Sequence, residues 1–176
     1  PVQMPYEAPP LSEPVPDVSV APNTKALTPE ELQRAEALLP LLEGKQEFWA
    51  MGEFVHLGEP VLPVVTKALA MPGPRIRYNA IETLSMIKSP AAVPALLDTA
   101  KLGTELPRIR EHALRVAVRL DPMQAAPAIE AMAKDANASI RKAAAVESRY
   151  VRRKEVIQPL IDLLGDDERF VALSAV

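Results

Sequence analysis

The sequence contains no cysteine, and this absence excludes disulfide bonds, a zinc site with cysteine ligands and a cysteine nucleophile. It has only two histidines and six glycines among 176 residues. Neither histidine belongs to an H-x-x-x-H or H-E-x-x-H pattern, and no glycine-rich phosphate loop is present. No apolar stretch has the length of a membrane-spanning helix, and no signal peptide is visible. We therefore predict no catalytic residue, no metal site and no cofactor.

The net charge is also small. Twenty lysines and arginines against 23 acidic residues give a formal charge of −3. This balance argues against a protein whose main partner is nucleic acid, because such proteins carry a strong positive patch. Residues 106–165 differ from the chain as a whole, because their formal net charge is +4. Nucleic-acid binding by a basic face is therefore kept as a second alternative.

Proline is abundant, with 19 copies, and its distribution divides the chain. Seven prolines fall in residues 1–27, which show no apolar periodicity. Such a composition favours an extended, polyproline-like or disordered arm. Within this arm, Tyr6 and Leu11 are the candidate anchors for a protein partner. The other twelve prolines are spread through residues 28–176, where their spacing is regular.

Residues 28–176 contain an internal repeat. An alanine within a shared motif recurs at intervals of 28 to 33 residues, and a proline recurs at intervals of 31 to 33. Two markers with one period indicate a repeat architecture. The alanines are Ala50, Ala80, Ala113, Ala144 and Ala172, and the prolines are Pro63, Pro94, Pro127 and Pro159.

Each repeat is predicted to be a pair of helices. Ile76, Ala80 and Leu84 follow helical spacing and form an apolar stripe, in which a small alanine permits close helix packing. Thr28-Pro29-Glu30-Glu31 is a capping box that opens the first helix, and Gly44 is its stop signal. One pair cannot bury its stripe alone, whereas stacked pairs can. We therefore predict an all-α fold, an α-solenoid behind a proline-rich extended arm.

With these motifs, residues 46–176 resemble the HEAT-like repeats first described in phycobilisome lyases. The resemblance rests on the Ile-Arg-x-x-Ala motif and on a proline-spaced motif typified by Asp121 to Ile129. It implies a ladder in which aspartates pair with the motif arginines, and Asp135 and Asp166 are in place for it. Met71 and Leu102 occupy the comparable region of the first two full repeats, so the ladder is not expected there.

The predicted organisation has two parts. Residues 1–27 are the arm, and residues 28–176 are the solenoid, which begins with a capping helix at 28–45. The repeats are predicted at about 46–71, 74–102, 106–135 and 137–165, with an incomplete repeat at 167–176. Because solenoid ends need a polar cap, we expect the apolar C-terminal end to continue or to dock on another chain.

Candidate partner-binding residues come from aromatic and basic side chains. Phe48, Tyr78 and Phe170 share one repeat position, which lies about 160° from the motif alanine on a helical wheel and should face outward. Trp49 is predicted to pack under helix 28–43, and His112 is predicted at the surface or half-buried. The partner-binding set is Tyr6, Leu11, Tyr78, Arg149, Arg152, Arg153, Lys154 and Phe170.

The function predicted from these features is a non-enzymatic scaffold or adaptor that binds proteins through the solenoid surface and the arm, as a subunit of a larger assembly. The first alternative is an accessory subunit, lyase or chaperone that acts on a cofactor-bearing protein. Proline-rich stretches commonly follow an export signal or lipoprotein anchor. The bacterial periplasm is therefore favoured over the cytoplasm.

Overall fold

The computed structural model describes residues 25–151 and 154–176, and in these residues it contains helices and no β-strand. Successive helices pack against their neighbours and share one apolar core. Within the same residues, no helix combines the length and apolar character needed to cross a membrane. The α-helices are α1 (Pro29–Leu38), α2 (Glu47–Leu57), α3 (Leu62–Lys67), α4 (Pro74–Ile87), α5 (Val93–Lys101), α6 (Pro107–Leu120), α7 (Pro122–Met132), α8 (Ala138–Ser148), α9 (Ile157–Leu163) and α10 (Arg169–Ala172).

Helix starts follow the local signals of the sequence. The Thr28 hydroxyl accepts a hydrogen bond from the Glu31 N–H (3.2 Å), and the Glu31 carboxylate accepts one from the Thr28 N–H (2.8 Å). This confirms the predicted capping box of α1. Asp121 caps α7 in a similar way, because its Oδ1 accepts hydrogen bonds from the N–H groups of Met123 and Gln124.

The periodic prolines lie near the start of the second helix of each pair. Proline has no N–H to donate, so it is tolerated in the first turn of a helix. α3 and α5 each begin one residue before their proline, and α9 begins two residues before Pro159. A 3-10 turn precedes each of these three helices. The exception is α7, in which Pro127 is the sixth residue.

The periodic alanines mark the close contacts between first helices. Ala50, Ala80, Ala113 and Ala144 are fully buried on α2, α4, α6 and α8. In the stack, α4 packs against α2 and α6, and α6 packs in turn against α8. A small side chain at this position allows the helices to approach. The predicted all-α solenoid is confirmed by this arrangement.

An arginine ladder links the repeats. Each motif arginine extends to an acidic residue that precedes the next first helix: Arg77 to Glu105 (2.5 Å), Arg110 to Asp135 (2.5 Å) and Arg141 to Asp166 (2.6 Å). The same guanidinium groups donate hydrogen bonds to backbone carbonyls at the end of the preceding helix or loop, as Arg110 does to Ala100 (2.8 Å). The ladder therefore fastens each pair to the next.

As expected, the early repeats have no aspartate in the ladder, but a glutamate takes its place. Leu102 occupies the comparable position, but Glu105 lies three residues later and is brought to Arg77 by the turn before α6. The longer glutamate side chain also accepts a hydrogen bond from the Leu106 N–H (2.7 Å). Between α2 and α4, the first helices of the two earliest pairs, the ion pair is formed instead by Glu47 on α2 and Arg75 on α4.

The ladder makes stability depend on pH. Burial acts to raise the pKa of Glu105, but hydrogen bonds from Arg77 and the Leu106 backbone, together with the Arg77 charge, hold this pKa below its usual value. A depressed carboxyl pKa contributes stability above the pKa of the unfolded chain, and this stability is lost as the pH falls through the folded-state pKa. The melting temperature should therefore fall as the pH is lowered from about 5 to 3.

Replacing Glu105 with glutamine should lower the free energy of unfolding at pH 7 by about 1–3 kcal/mol, because Arg77 loses its charged partner. The acid-induced fall in melting temperature should also become shallower. Thermal melts at a series of pH values measure both effects. The control is Glu130→Gln on the exposed side of α7. A wild-type pH profile in Glu105→Gln would contradict the role given to this pair.

Candidate functional site

A polar cluster spans three consecutive first helices. It consists of Tyr78 and Glu82 on α4, His112 and Arg115 on α6, and Glu147 on α8. Residues three or four apart on a helix lie on one face, so each helix presents its members to the next. Glu82 Oε1 lies 3.0 Å from His112 Nε2, and Arg115 Nε lies 3.6 Å from Glu147 Oε1.

His112 is the buried centre of the polar cluster. It is only 6% exposed, and its ring stacks on the Tyr78 ring with centroids 4.5 Å apart and planes 16° from parallel. Its Nδ1 has no hydrogen-bond partner among the described residues. Burial lowers the pKa of His112, the Arg115 and Arg119 charges lower it further, and the Glu82 carboxylate opposes them. The imidazole is therefore neutral at pH 7.

Glu147 is the second buried group of the polar cluster. Burial raises its pKa, while the charges of Arg115 and Arg119 act in the opposite direction. Its Oε2 has no hydrogen-bond partner among the described residues. A buried carboxyl with a raised pKa takes up a proton at a higher pH than an ordinary glutamate does.

The polar cluster connects the first helices of three successive pairs through one histidine–carboxylate contact and one arginine–carboxylate pair. The Nδ1 of His112 and the Oε2 of Glu147 are both shielded from solvent and have no hydrogen-bond partner among the described residues. In the part of the chain that the structure describes, this cluster included, no three His, Asp or Glu side chains are grouped to hold a metal ion. Glu82, Arg115 and Glu147 were not singled out from the sequence. The available signal was opposite charge at nearby positions of successive first helices.

Replacing His112 with glutamine should lower stability by about 1 kcal/mol, because the ring stacking on Tyr78 is lost. The unfolded chain takes up a proton near pH 6.5 whereas folded His112 resists protonation, so wild-type stability should decrease as the pH falls below about 6.5. His112→Gln should lack this decrease between about pH 7 and 5. Chemical denaturation at each pH measures it, with exposed His56→Gln as the control. Equal pH slopes in all three proteins would contradict the assignment.

The structure places the predicted partner-binding residues at separate positions. Phe170 is exposed, and Lys142 Nζ lies 6.0 Å from the centre of its ring. Arg149 is exposed and donates a hydrogen bond to the Ser174 carbonyl (3.1 Å), and Lys154 is exposed in a 3-10 turn. Their role in partner binding stays a prediction. Tyr6, Leu11, Arg152 and Arg153 lie outside the described residues.

Two predicted placements are wrong, those of His112 and Trp49, whereas Tyr78 faces off the core of its own pair as predicted. Tyr78 points away from the core of its own pair but is half-buried against α6 of the next pair, where His112 stacks on it. His112 is buried for the same reason. Trp49 does not pack under the first helix, because it lies beside the buried stripe of α2 and is 50% exposed. Helical-wheel directions take no account of the neighbouring repeat.

Stacked helical pairs joined by buried alanines and an arginine ladder define this chain as a HEAT-like α-solenoid. The solved structure of the complex of CpcE and CpcF of phycocyanin lyase from Nostoc sp. PCC7120 has the same fold. The match has a TM-score of 0.64 and 21% sequence identity, and it covers 83% of this chain and 96% of that chain. No protein-family model and no curated protein matches the sequence.

This comparison corrects one prediction from the sequence. The chain was predicted not to be an enzyme, and that prediction is wrong, because the structure it matches is part of a phycocyanin lyase. The absence of a known catalytic motif from a HEAT-like solenoid therefore does not exclude a part in catalysis. The matched protein is also part of a complex, which supports the expectation of a protein partner.

Proposed function

We propose that the chain is a subunit of a lyase-type enzyme complex that acts on a protein bearing a chromophore or similar cofactor. The observation that carries this proposal is the extent of the fold match, which includes 96% of the matched chain. A likeness in one helical pair would be shared with any solenoid. A likeness over nearly a whole subunit favours a shared architecture of the complex.

The surface of the solenoid suits such a role. Stacked repeats present a long surface on which a protein partner can lie. Exposed aromatic side chains, Phe48 on α2 and Phe170 on α10, stand near its two described ends. Aromatic residues are enriched at interfaces because they bury a large apolar area. Arg149 and Lys154 add positive charge near the second of these ends.

The test is recovery of the tagged full chain from its native host together with its associated proteins. If the proposal holds, an associated protein carries a covalently bound chromophore, detected as visible absorbance that survives denaturation and as a tetrapyrrole mass on a peptide. Deleting the coding sequence should leave that protein without the added mass. Associated proteins with no chromophore, or an unchanged modification in the deletion strain, would contradict the proposal.

A paired variant tests the partner-binding residues. Arg149→Glu with Lys154→Glu should reduce recovery of the associated protein about tenfold, because charge reversal at an interface replaces attraction with repulsion. The matched control is Lys88→Glu with Lys101→Glu, two exposed lysines on other parts of the solenoid. Equal recovery with both double variants would remove the basic turn from the interface, whatever the activity of the complex.

A further inference from the structure

A cleft opens between the first turns of α4 and α6. Its volume is about 240 Å³, and its lining residues are Pro74, Arg75, Tyr78, Leu106, Arg108 and Ile109. Three of these side chains are apolar, two are cationic and none is acidic. The cleft is therefore a small apolar space with positive charge at its edge. Neither the arginine ladder nor the proposed function uses it.

Arg108 is the main charged group of the cleft. Its side chain is exposed, and its guanidinium carbon lies 5.4 Å from the centre of the Tyr78 ring. No described carboxylate pairs with it. Arg75 holds the same repeat position one pair earlier and is neutralised by Glu47. Arg108 thus keeps a guanidinium edge that can donate two parallel hydrogen bonds.

Tyr78 gives this edge a rigid support. His112 stacks on the Tyr78 ring, and Arg108 lies over the same ring. The Tyr78 hydroxyl has no hydrogen-bond partner among the described residues. The guanidinium and the hydroxyl are therefore two donors without acceptors. The starts of α4 and α6 lack side-chain caps, so their helix dipoles add positive potential at the cleft.

We propose that this cleft binds a carboxylate carried on a small, flat, apolar group. The carboxylate would accept two hydrogen bonds from Arg108 and one from the Tyr78 hydroxyl, and the apolar group would lie against Leu106 and Ile109. The apolar lining disfavours a hydrated phosphate, which would lose water on entry without equivalent partners. The volume suits one ring with a short side chain rather than a larger ligand. The inference goes beyond the proposed function and does not depend on it.

The experiment is an NMR titration of the ¹⁵N-labelled full chain with 3-phenylpropionate. Amide shifts should centre on the first turns of α4 and α6. Arg108→Gln should weaken binding tenfold or more, because a charge-assisted pair of hydrogen bonds is lost. Tyr78→Phe should weaken it several-fold. The matched control is Arg119→Gln, three turns along the same face of α6, which should bind like wild type.

Two further probes decide the ligand class. The neutral 3-phenylpropionamide should bind at least tenfold more weakly than 3-phenylpropionate, and inorganic phosphate should also bind more weakly than 3-phenylpropionate. Circular dichroism confirms that each variant is folded. No saturable binding of 3-phenylpropionate, shifts centred elsewhere, unchanged affinity in Arg108→Gln, or equal affinity for the amide or for phosphate would each overturn the proposal.

Discussion

Replacing Arg110 with alanine is expected to lower the free energy of unfolding by about 2–4 kcal/mol. Arg110 is 5% exposed, and its guanidinium joins the Ala100 carbonyl at the end of α5 to Asp135 before α8. Its removal takes this donor from the Ala100 carbonyl and leaves Asp135 with the Asn137 N–H alone, and a buried charge without its partner is strongly destabilising. The loss is smaller than for a wholly buried pair because Asp135 retains some contact with water.

The electrostatics of Asp135 support this expectation. Burial acts to raise the pKa of Asp135, but hydrogen bonds from Arg110 and the Asn137 backbone, with the charges of Arg110 and Arg141, hold it below its usual value. Without Arg110 the effect of burial is less opposed, so the pKa of Asp135 should rise toward its usual value. The variant should therefore also lose part of the wild-type dependence of stability on acid pH.

Urea denaturation at pH 7 measures the main effect. The control is Arg119→Ala, an exposed arginine nine residues later on the same helix, which should change stability by less than about 0.5 kcal/mol. Amide hydrogen exchange should show the loss of protection concentrated in α7 and α8, because each repeat contacts only its neighbours. Equal destabilisation by the two substitutions would contradict the structural role of the ladder.

The features predicted from the sequence are those set by neighbouring residues. The capping box at Thr28 involves residues three apart, and the first-turn prolines act through their own missing N–H. The periodic alanines were predicted because the same packing recurs in each pair. These signals repeat along the chain, so the helical pairs and their stacking are visible without coordinates.

The features that were missed depend on contacts between repeats. Tyr78 and His112 stand 34 positions apart in sequence and meet only when α4 packs on α6. Glu105 replaces the expected acid because the turn before α6 carries it to Arg77. The Tyr78–His112 stacking and the use of a shifted glutamate in the ladder each occur at a single interface, so periodicity does not reveal them. The cleft and the Tyr78–His112 part of the polar cluster both arise at this one interface.

The wrong prediction that the chain is not an enzyme has a similar explanation. The motifs that identify a HEAT-like repeat are residues that stack helices, namely the alanines, the ladder arginines and the prolines. These residues determine the architecture, and they do not indicate what chemistry takes place on its surface. Under the proposed function, a catalytic contribution would come from holding a partner in position, which needs no Ser-His-Asp set or metal motif.

A second large effect is expected in the first helical pair, where Phe54→Ala should lower stability by about 3–5 kcal/mol. Phe54 is fully buried and lies on the stripe of α2 formed with Ala50 and Met51. Truncating it removes apolar contacts and leaves a cavity that the close-packed helices can only partly fill. The matched control is Phe48→Ala on the same helix. Phe48 is 77% exposed, so its loss should change stability by less than about 0.5 kcal/mol.

The manner of unfolding distinguishes this variant from a general loss of stability. Because contacts run between neighbouring repeats, weakening α2 should release α1, α2 and α3 before α6 and α8. Hydrogen exchange should therefore show early loss of protection in residues 29–67, and the urea transition should broaden because the two ends no longer unfold together. A single sharp transition with uniform loss of protection would show instead that the stack unfolds as one cooperative unit. Such a result would mean that the arginine ladder couples the repeats more strongly than nearest-neighbour packing alone.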